Sequence, residues 1–355
     1  MIEMKCVEGL CPSSSVLCPF PKMMRSPNSY LVWLEWPEKC FRMDAEALRF
    51  LKTLVPAGSR IVRVRNEAAF LRQLPQATHV LTWHFKKDWF ALAPKLKVLA
   101  TPGAGRELVS LEAPKGVRLH FGRFHGAIMS ETVAAFVLAW ARGFFAVRDY
   151  AGYGGTQKPA VPNWPRAELS DRCFAVAGTR AVIVGYGRVG GAIGAKLEAL
   201  GVSVQGFSRR NMSDLDAALK TADWLVLALP SDTGTDNFLS RARLRKLPRR
   251  AVVINVGRGN AIDEAALVEA LRTGRLAGAY LDVFKSEPGP LQQIVGTDPQ
   301  KRGDRPRQNV GTDPGILGTD PTELPGNLIR MPHSSAFSRD YMKRCFMELK
   351  DDGCL

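Results

Sequence analysis

The sequence predicts an α/β protein of two domains, each built on a parallel β-sheet. Short apolar stretches that fit buried strands alternate with helical stretches in two separate series along the chain. Alternation of this kind is typical of parallel sheets, because a helix must carry the chain back between parallel strands. The chain has 355 residues, which is enough for about two domains.

The first series contains four expected strands and two expected helices. A helix is expected over residues 44–54, where Asp44 is a suitable N-cap and apolar residues follow a helical spacing, and a shorter one over 67–73. The expected strands are, in chain order, LVWLEW from Tyr30, residues 61–64, HVLTW and KVLAT.

One long helix should separate the first series from the second. Residues 130–150, SETVAAFVLAWARGFFAVRDY, are apolar on most faces and should be buried, with Ser130 as a cap. The second series begins at Thr179 with strand, glycine turn, helix and strand. It continues with ADWLVLALP, AVVINVG and a strand at LAGAYLDVF.

Two segments are expected to lie outside the folded domains. Residues 1–29 read as an irregular leader without the basic start and apolar stretch of a secretory signal. Residues 289–325 repeat GTDP three times and are rich in glycine, proline and charge. Such a composition cannot bury a core, so a flexible insertion is expected there.

Charge, cysteine spacing and the length of apolar runs bear on whether the protein binds nucleic acid, a metal or a membrane. The net charge of +15 could indicate nucleic-acid binding, but the basic residues are dispersed and carry no nucleic-acid motif. A basic surface that attracts anionic substrates is the preferred interpretation, without a nucleic-acid partner. Seven cysteines at irregular spacing, with no CxxC pair, predict reduced thiols and no metal site. No apolar run has membrane-spanning length, so we expect a cytoplasmic protein without a membrane partner.

A glycine-rich turn indicates dinucleotide binding. Gly185, Gly187 and Gly190 form GxGxxG directly after the strand AVIV and begin a helix. The first glycine permits the tight turn, the second lets the backbone approach a pyrophosphate, and the third lets helix pack on strand. The helix N-terminus offers free N–H groups to the phosphates. The intervening residues of the candidate cofactor site are Tyr186, Arg188 and Val189.

The residues after the next strand bear on which dinucleotide binds. An NAD site usually has Asp or Glu at this strand end to accept from the ribose hydroxyls. Here the strand VSVQGF leads instead into Ser208, Arg209 and Arg210. Two guanidinium groups suit a 2′-phosphate. The sequence therefore predicts NADPH or NADP as cofactor, with NAD as the alternative.

Three further segments resemble the D-isomer-specific 2-hydroxyacid dehydrogenases, in particular the NADPH-preferring glyoxylate and hydroxypyruvate reductases. They are NVGRGNAIDEAALVEALRTGRLAGAYLDVFKSEP, RMPHSS and TPGAGRELV. The resemblance implies two Rossmann-like, doubly wound domains with a cleft between them, assembled as a homodimer. The flavodoxin-like substrate domain would comprise residues 30–140 and 331–355, and the dinucleotide-binding domain residues 150–330.

The resemblance also implies catalytic roles. Arg258 matches the arginine that clamps the substrate carboxylate, and His333 matches the general acid. Glu287 matches the carboxylate that keeps this histidine protonated. Ala104 and Gly105 would offer backbone N–H groups to the substrate, and Asp282 would hold the nicotinamide carboxamide. The remaining residues expected to line the cofactor cleft are Leu229, Pro230, Asn255, Val256 and Gly257.

The implied activity is NADPH-dependent reduction of small 2-keto acids, such as glyoxylate and hydroxypyruvate, to D-2-hydroxy acids. One alternative is another dehydrogenase on the same scaffold, of the phosphite or formate type. The other is a non-enzymatic dinucleotide sensor similar to a corepressor. Two departures from the family pattern bear on activity: the insertion lengthens the loop between Glu287 and His333, and only RDYMKRCFMELK is left for the helix that returns to the first domain.

Overall fold

The computed structural model describes residues 28–105, 109, 112–145, 166–285 and 326–355, of which 166–168 are described in backbone only. The expected leader, up to residue 27, and the expected insertion at 289–325 lie outside these ranges. The first strand begins at Ser29, which the sequence analysis assigned to the leader.

The first sheet has five parallel strands in the order β2-β1-β3-β4-β5. This is the flavodoxin-like order, and it confirms the predicted class of the first half. β5 was not predicted from the sequence. The strands are β1 (Ser29–Trp33), β2 (Arg60–Arg63), β3 (His79–Thr82), β4 (Val98–Thr101) and β5 (Arg118–Phe121).

Helices α1 (Ala45–Leu54) and α2 (Glu67–Gln73) follow β1 and β2. The Asp44 carboxylate accepts from the amide of Ala47 at 2.7 Å, which confirms the predicted N-cap. Asn66 caps α2 in the same way through the amide of Ala69.

The long helix α3 (His125–Ala141) is buried on several faces, as predicted, but its bounds differ from the prediction. It begins five residues before Ser130, whose hydroxyl donates instead to the Ala127 carbonyl inside the helix. The prediction of Ser130 as a cap was wrong because the true N-cap position, Phe124, has no capping side chain and leaves no sequence signal.

The second sheet has six parallel strands in the order β11-β10-β9-β8-β6-β7. Its direction of growth reverses at β6, and ligands of such sheets bind at the carboxyl ends of the strands beside the reversal. The strands are β6 (Arg180–Val184), β7 (Ser203–Phe207), β8 (Trp224–Leu227), β9 (Val252–Asn255), β10 (Gly278–Leu281) and β11 (Leu328–Arg330).

Strand β10 is shorter than the predicted LAGAYLDVF, and β11 was not predicted. The α-helices among the described residues of this half are α4 (Arg166–Arg172), α5 (Arg188–Glu198), α6 (Leu215–Leu219), α7 (Arg241–Leu244) and α8 (Glu264–Arg272). Helix α5 packs along α3, and Gly126 makes this possible because a Cβ there would lie 3.1 Å from the Arg188 carbonyl oxygen.

The C-terminal helix α9 (Tyr341–Asp351) packs on the first sheet rather than the second. Its apolar face, including Tyr341 and Phe346, joins the core formed by Tyr30, Val32 and Leu51. Helix α9 therefore packs with β1 and α1. The segment 331–340 connects the second sheet to this helix. Over the ranges given above, no helix combines the length and apolar character needed to cross a bilayer.

Candidate active site

Six consecutive loops carry most of the residues predicted for the cofactor and catalytic sites. Each loop leaves the carboxyl end of one strand of the six-stranded parallel sheet, so all six open at the same edge. In chain order they follow β6 (Gly185, Tyr186, Gly187, Arg188, Val189, Gly190), β7 (Ser208, Arg209, Arg210), β8 (Leu229, Pro230), β9 (Val256, Gly257, Arg258), β10 (Asp282) and β11 (His333).

The three glycines after β6 have different surroundings. Gly185 has φ +90°, and a Cβ there would lie 2.5 Å from the Ala228 carbonyl oxygen, so the turn itself requires glycine. A Cβ on Gly190 would lie 2.4 Å from the Gly185 carbonyl oxygen. Glycine at this position therefore lets the helix pack closely on the strand. A Cβ on Gly187 would meet none of the described atoms within 4 Å.

The open space at Gly187 lies at the N-terminus of α5 and is where a pyrophosphate would need close access to backbone. The turn therefore fits a dinucleotide: two glycines serve the fold and one leaves room for a ligand. Tyr186 serves packing, because its ring lies against β7, where a Cβ on Gly206 would be 2.3 Å from ring carbons.

The turn after β7 is held by Asn211. Its side-chain oxygen accepts from the Ser208 amide at 2.7 Å and from the Ser208 hydroxyl at 3.0 Å. Its side-chain nitrogen donates to the Gly206 carbonyl at 2.9 Å. Arg209 and Arg210 project from this turn into solvent. The Arg209 guanidinium contacts the Asp232 carboxylate at 2.5 Å, a partner that the sequence analysis did not identify.

The loops after β8 and β9 pack closely against each other. A Cβ on Gly257 would lie 2.5 Å from the Leu229 nitrogen, and the Pro230 carbonyl accepts from the Thr235 hydroxyl at 2.9 Å. Buried Asn255 turns the second loop: its side chain accepts from the Gly257 amide at 3.1 Å and donates to the Arg258 carbonyl at 3.0 Å. The role of Asn255 is therefore to shape the backbone of this loop.

Arg258 is half-buried at the end of this loop, and its guanidinium donates to the Gly257 carbonyl at 3.0 Å. The next residue, Gly259, lies against the backbone after β10, because a Cβ there would be 1.8 Å from the Phe284 carbonyl carbon. The position of the Arg258 backbone is thus set by two contacts that tolerate no side chain, at Gly257 and Gly259.

His333 is exposed and has φ +51°, a left-handed conformation that is uncommon outside glycine. Its amide donates to the Asp282 carbonyl at 2.9 Å. The fully buried Asp282 carboxylate accepts from the amides of Ser334 and Ser335, at distances between 2.8 and 3.1 Å. Asp282 therefore faces the loop of His333. Its expected contact with a nicotinamide carboxamide stays a prediction.

The remaining predicted site residues are Ala104, Gly105 and Glu287. Ala104 and Gly105 follow β4 at the carboxyl edge of the first sheet, with Ala104 exposed. Their loop is packed closely against Gly122, where a Cβ would be 1.9 Å from the Pro102 carbonyl oxygen. Glu287 lies outside the described residues.

His125, at the start of α3, adds a buried polar contact. The sequence favours a structural role for this histidine, with a position that faces the substrate as the alternative. Its Nε2 lies 2.7 Å from the Tyr341 hydroxyl, which joins α3 to α9. Burial, and to a smaller extent the positive charge of Arg258, lower the pKa of His125 to about 4. The imidazole is therefore neutral near pH 7. The only sequence signal was its position just before the long apolar helix.

Comparisons with known proteins identify the family of this chain. Residues 135–300 match the family model described as D-isomer specific 2-hydroxyacid dehydrogenase, NAD binding domain. A glyoxylate/hydroxypyruvate reductase B from Pectobacterium carotovorum is 32% identical over 222 residues, which cover 58% of this chain and 67% of that protein. A glyoxylate reductase from Thermococcus onnurineus is 27% identical over 242 residues, covering 64% and 72%.

Among solved structures, one similar protein is an NADPH-dependent glyoxylate/hydroxypyruvate reductase from Sinorhizobium meliloti in complex with NADP and sulfate. The TM-score is 0.63 at 26% identity, with 92% of this chain and 96% of that chain covered. The family model covers the region that contains the glycine turn and Arg258, and the structural match extends over both sheets. The chain therefore belongs to the D-isomer specific 2-hydroxyacid dehydrogenases, which are NAD(P)-dependent oxidoreductases.

Proposed function

We propose that this protein reduces small 2-keto acids of the glyoxylate and hydroxypyruvate type to D-2-hydroxy acids and prefers NADPH. The observation that carries the proposal is that Arg258 and His333 both follow strands at the carboxyl edge of one sheet. They follow β9 and β11, which flank β10, and both loops are tied to the backbone around Asp282 and Phe284. The similar reductases named above act on substrates of this class.

The chain supplies four functions in this proposal. Residues 185–190 and the N-terminus of α5 hold the pyrophosphate, and Arg209 and Arg210 receive the 2′-phosphate. Arg258 binds the substrate carboxylate and polarises the neighbouring carbonyl. His333 donates a proton to the carbonyl oxygen, with Glu287 as the carboxylate that favours its protonated form. A bound reduced nicotinamide supplies the hydride.

Residues 30–140 and 331–355 form the substrate domain in this proposal, and residues 150–330 the dinucleotide-binding domain. The backbone N–H groups of Ala104 and Gly105 then face the substrate from across the cleft. Asp282 acts on the nicotinamide side, as the family pattern implies, while its carboxylate also orders the loop of His333.

A spectrophotometric screen tests the function. Wild-type protein should consume NADPH with glyoxylate or hydroxypyruvate, and faster than it consumes NADH. The variant His333→Ala should lose about 10²–10⁴-fold in turnover while it still binds NADPH, because only proton donation is removed. Unchanged turnover in this variant would exclude the acid role.

Control substrates separate the alternatives. Reduction of NADP by phosphite or formate, without activity toward keto acids, would indicate another dehydrogenase on the same scaffold. NADPH binding without turnover of any of these substrates would favour a dinucleotide sensor.

We further propose a cytoplasmic homodimer. The end of α3 supports an interface, because Leu138 and Phe144 are 39% and 66% exposed. Light scattering after gel filtration should give twice the chain mass of 39.0 kDa. A mass of one chain at micromolar concentration would contradict the dimer.

A further inference from the structure

The ion pair between Arg209 and Asp232 joins the ends of two strands that are not neighbours. Arg209 follows β7 and Asp232 follows β8, and the sheet order places β6 between them. Two strands that flank a third strand in a sheet are separated by about 10 Å. The pair therefore spans the carboxyl end of β6, from which the glycine turn begins.

The carboxylate is the fixed partner of this pair. One oxygen of Asp232 accepts from the Gly234 amide at 3.0 Å, and the Asp232 amide donates to the Thr235 hydroxyl at 3.0 Å. Thr235 is itself buried and bonded to the Pro230 carbonyl. The second carboxylate oxygen is thereby directed at Arg209.

Arg209 is the exposed partner. Its side chain is 83% exposed and leaves from the turn that Asn211 orders. A phosphate group bound by this guanidinium must share it with the Asp232 carboxylate or displace that carboxylate. The two anions would also lie within a Debye length, about 8 Å at physiological salt, and would repel each other.

We propose that Asp232 is a specificity-determining residue that opposes binding of the cofactor 2′-phosphate and so lowers the preference for NADP(H) over NAD(H). This inference rests on the proposed function, in which Arg209 receives the 2′-phosphate. The contact of Asp232 is with Arg209, and a cofactor without the phosphate leaves the pair intact. Removal of the carboxylate charge should therefore strengthen binding of the phosphorylated cofactor alone.

Calorimetry on the full-length protein tests this without turnover. The probes are adenosine 2′,5′-bisphosphate and adenosine 5′-monophosphate, which differ by the 2′-phosphate. Asp232→Asn retains the oxygen that accepts from Gly234, so the turn should fold. We expect it to bind the bisphosphate about two- to fivefold more tightly, the range of an exposed ion pair, with the monophosphate unchanged.

Two further variants make the result specific. Glu198→Gln removes the same charge at the last residue of α5, about 15 Å along the helix from the glycine turn, and should change neither affinity. Arg209→Ala should weaken binding of the bisphosphate about tenfold or more, because a charged hydrogen bond is lost.

The variants also distinguish a failure of the role proposed for Asp232 from a failure of the proposed 2′-phosphate site. If Arg209→Ala weakens bisphosphate binding and Asp232→Asn does not strengthen it, the role of Asp232 is overturned and the proposed NADPH site stands. If Arg209→Ala has no effect on the bisphosphate, the proposed 2′-phosphate site is itself wrong. If Glu198→Gln increases the affinity for the bisphosphate as much as Asp232→Asn does, the increase comes from the net charge of the protein and not from the position of Asp232. That result would also overturn the proposal.

Discussion

Asp282 fixes the loop of His333 from inside the sheet. The carbonyl of Asp282 accepts from the amide of His333, and its carboxylate accepts from the next two amides. Ser335 extends the connection, since its carbonyl accepts from the Thr132 hydroxyl of α3 at 2.9 Å. A buried carboxylate thus sets the backbone of an exposed histidine whose φ is +51°. The two residues differ in exposure and in role, and each can be tested alone.

Loss of the Asp282 carboxylate should affect both stability and the proposed activity. Asp282→Ala leaves buried amides without acceptors, which costs about 1–3 kcal/mol for each group. We expect the urea midpoint to fall and keto-acid reduction to fall with it, because His333 loses its backbone support. Asp282→Asn keeps an acceptor and should lose less of both. Equal stability of the alanine variant and the wild type would show that the hydrogen bonds of the Asp282 carboxylate do not stabilise the fold.

The glycines of the turn after β6 should separate folding from cofactor binding. Gly187→Ala adds a methyl group where no described atom lies within 4 Å, so thermal stability should be nearly unchanged, but binding of NADPH should weaken strongly. Gly190→Ala places a methyl group 2.4 Å from a carbonyl oxygen and should destabilise the fold itself. Differential scanning calorimetry and NADPH fluorescence measure the two effects. The opposite order of stabilities would refute this division of roles.

Arg258 should not tolerate its usual conservative replacement. Arg258→Lys keeps the positive charge but cannot bind a carboxylate through two parallel N–H groups. We expect kcat/KM for glyoxylate to fall about 10²–10³-fold, while the Kd for NADPH stays the same. Arg49→Lys, on the exposed face of α1, is the matched control and should change neither. If the only change is weaker binding of NADPH, Arg258 contacts the cofactor and not the substrate.

The sequence predicted those parts of the site that depend on backbone patterns. Strand, glycine turn and helix follow one another at fixed spacing, and Gly185, Gly187 and Gly190 lie as the pattern requires. The N-cap of α1 was predictable for the same reason, since Asp44 acts within its own turn. Local interactions of this kind leave their signal in a short window of sequence.

Contacts between distant segments left no such signal. Strand β5, RLHF, is four residues long and lies at the sheet edge, with only His120 buried, so its apolar pattern is weak. Asp232 is 23 positions from Arg209 along the chain, and their pairing depends on the reversal of strand order at β6. Ser334 and Ser335 could have been noticed as a polar pair beside His333, but their acceptor, Asp282, required the sheet.

The stability of the folded protein should depend on His120 above neutral pH. His120 joins β5 to α9: its Nε2 lies 2.8 Å from a Glu348 oxygen and its Nδ1 lies 3.4 Å from an Asp352 oxygen. Burial alone would lower the pKa of His120, but hydrogen bonds to Cys354 and Glu348 outweigh burial, so this pKa is raised above its ordinary value of 6.5. When it is protonated, the imidazole of His120 bridges two carboxylates, and this contact favours the charged form.

A raised folded-state pKa means that this contribution to stability is complete below pH 6.5 and is lost as the pH rises through the raised value. His79 and His125 act in a different window, because burial lowers each pKa to about 4. Their contributions change mainly below pH 6.5. Burial raises the pKa of the Cys40 and Cys345 thiols from 9.0, so their contributions change mainly above about pH 8. The range from about pH 7 to 8 therefore reports chiefly on His120. Urea unfolding of wild-type protein should show a free energy of unfolding that decreases with pH there. His120→Gln should be less stable than the wild type at pH 6.5 and should lose most of this slope, and a slope that persists in the variant would assign it to another group.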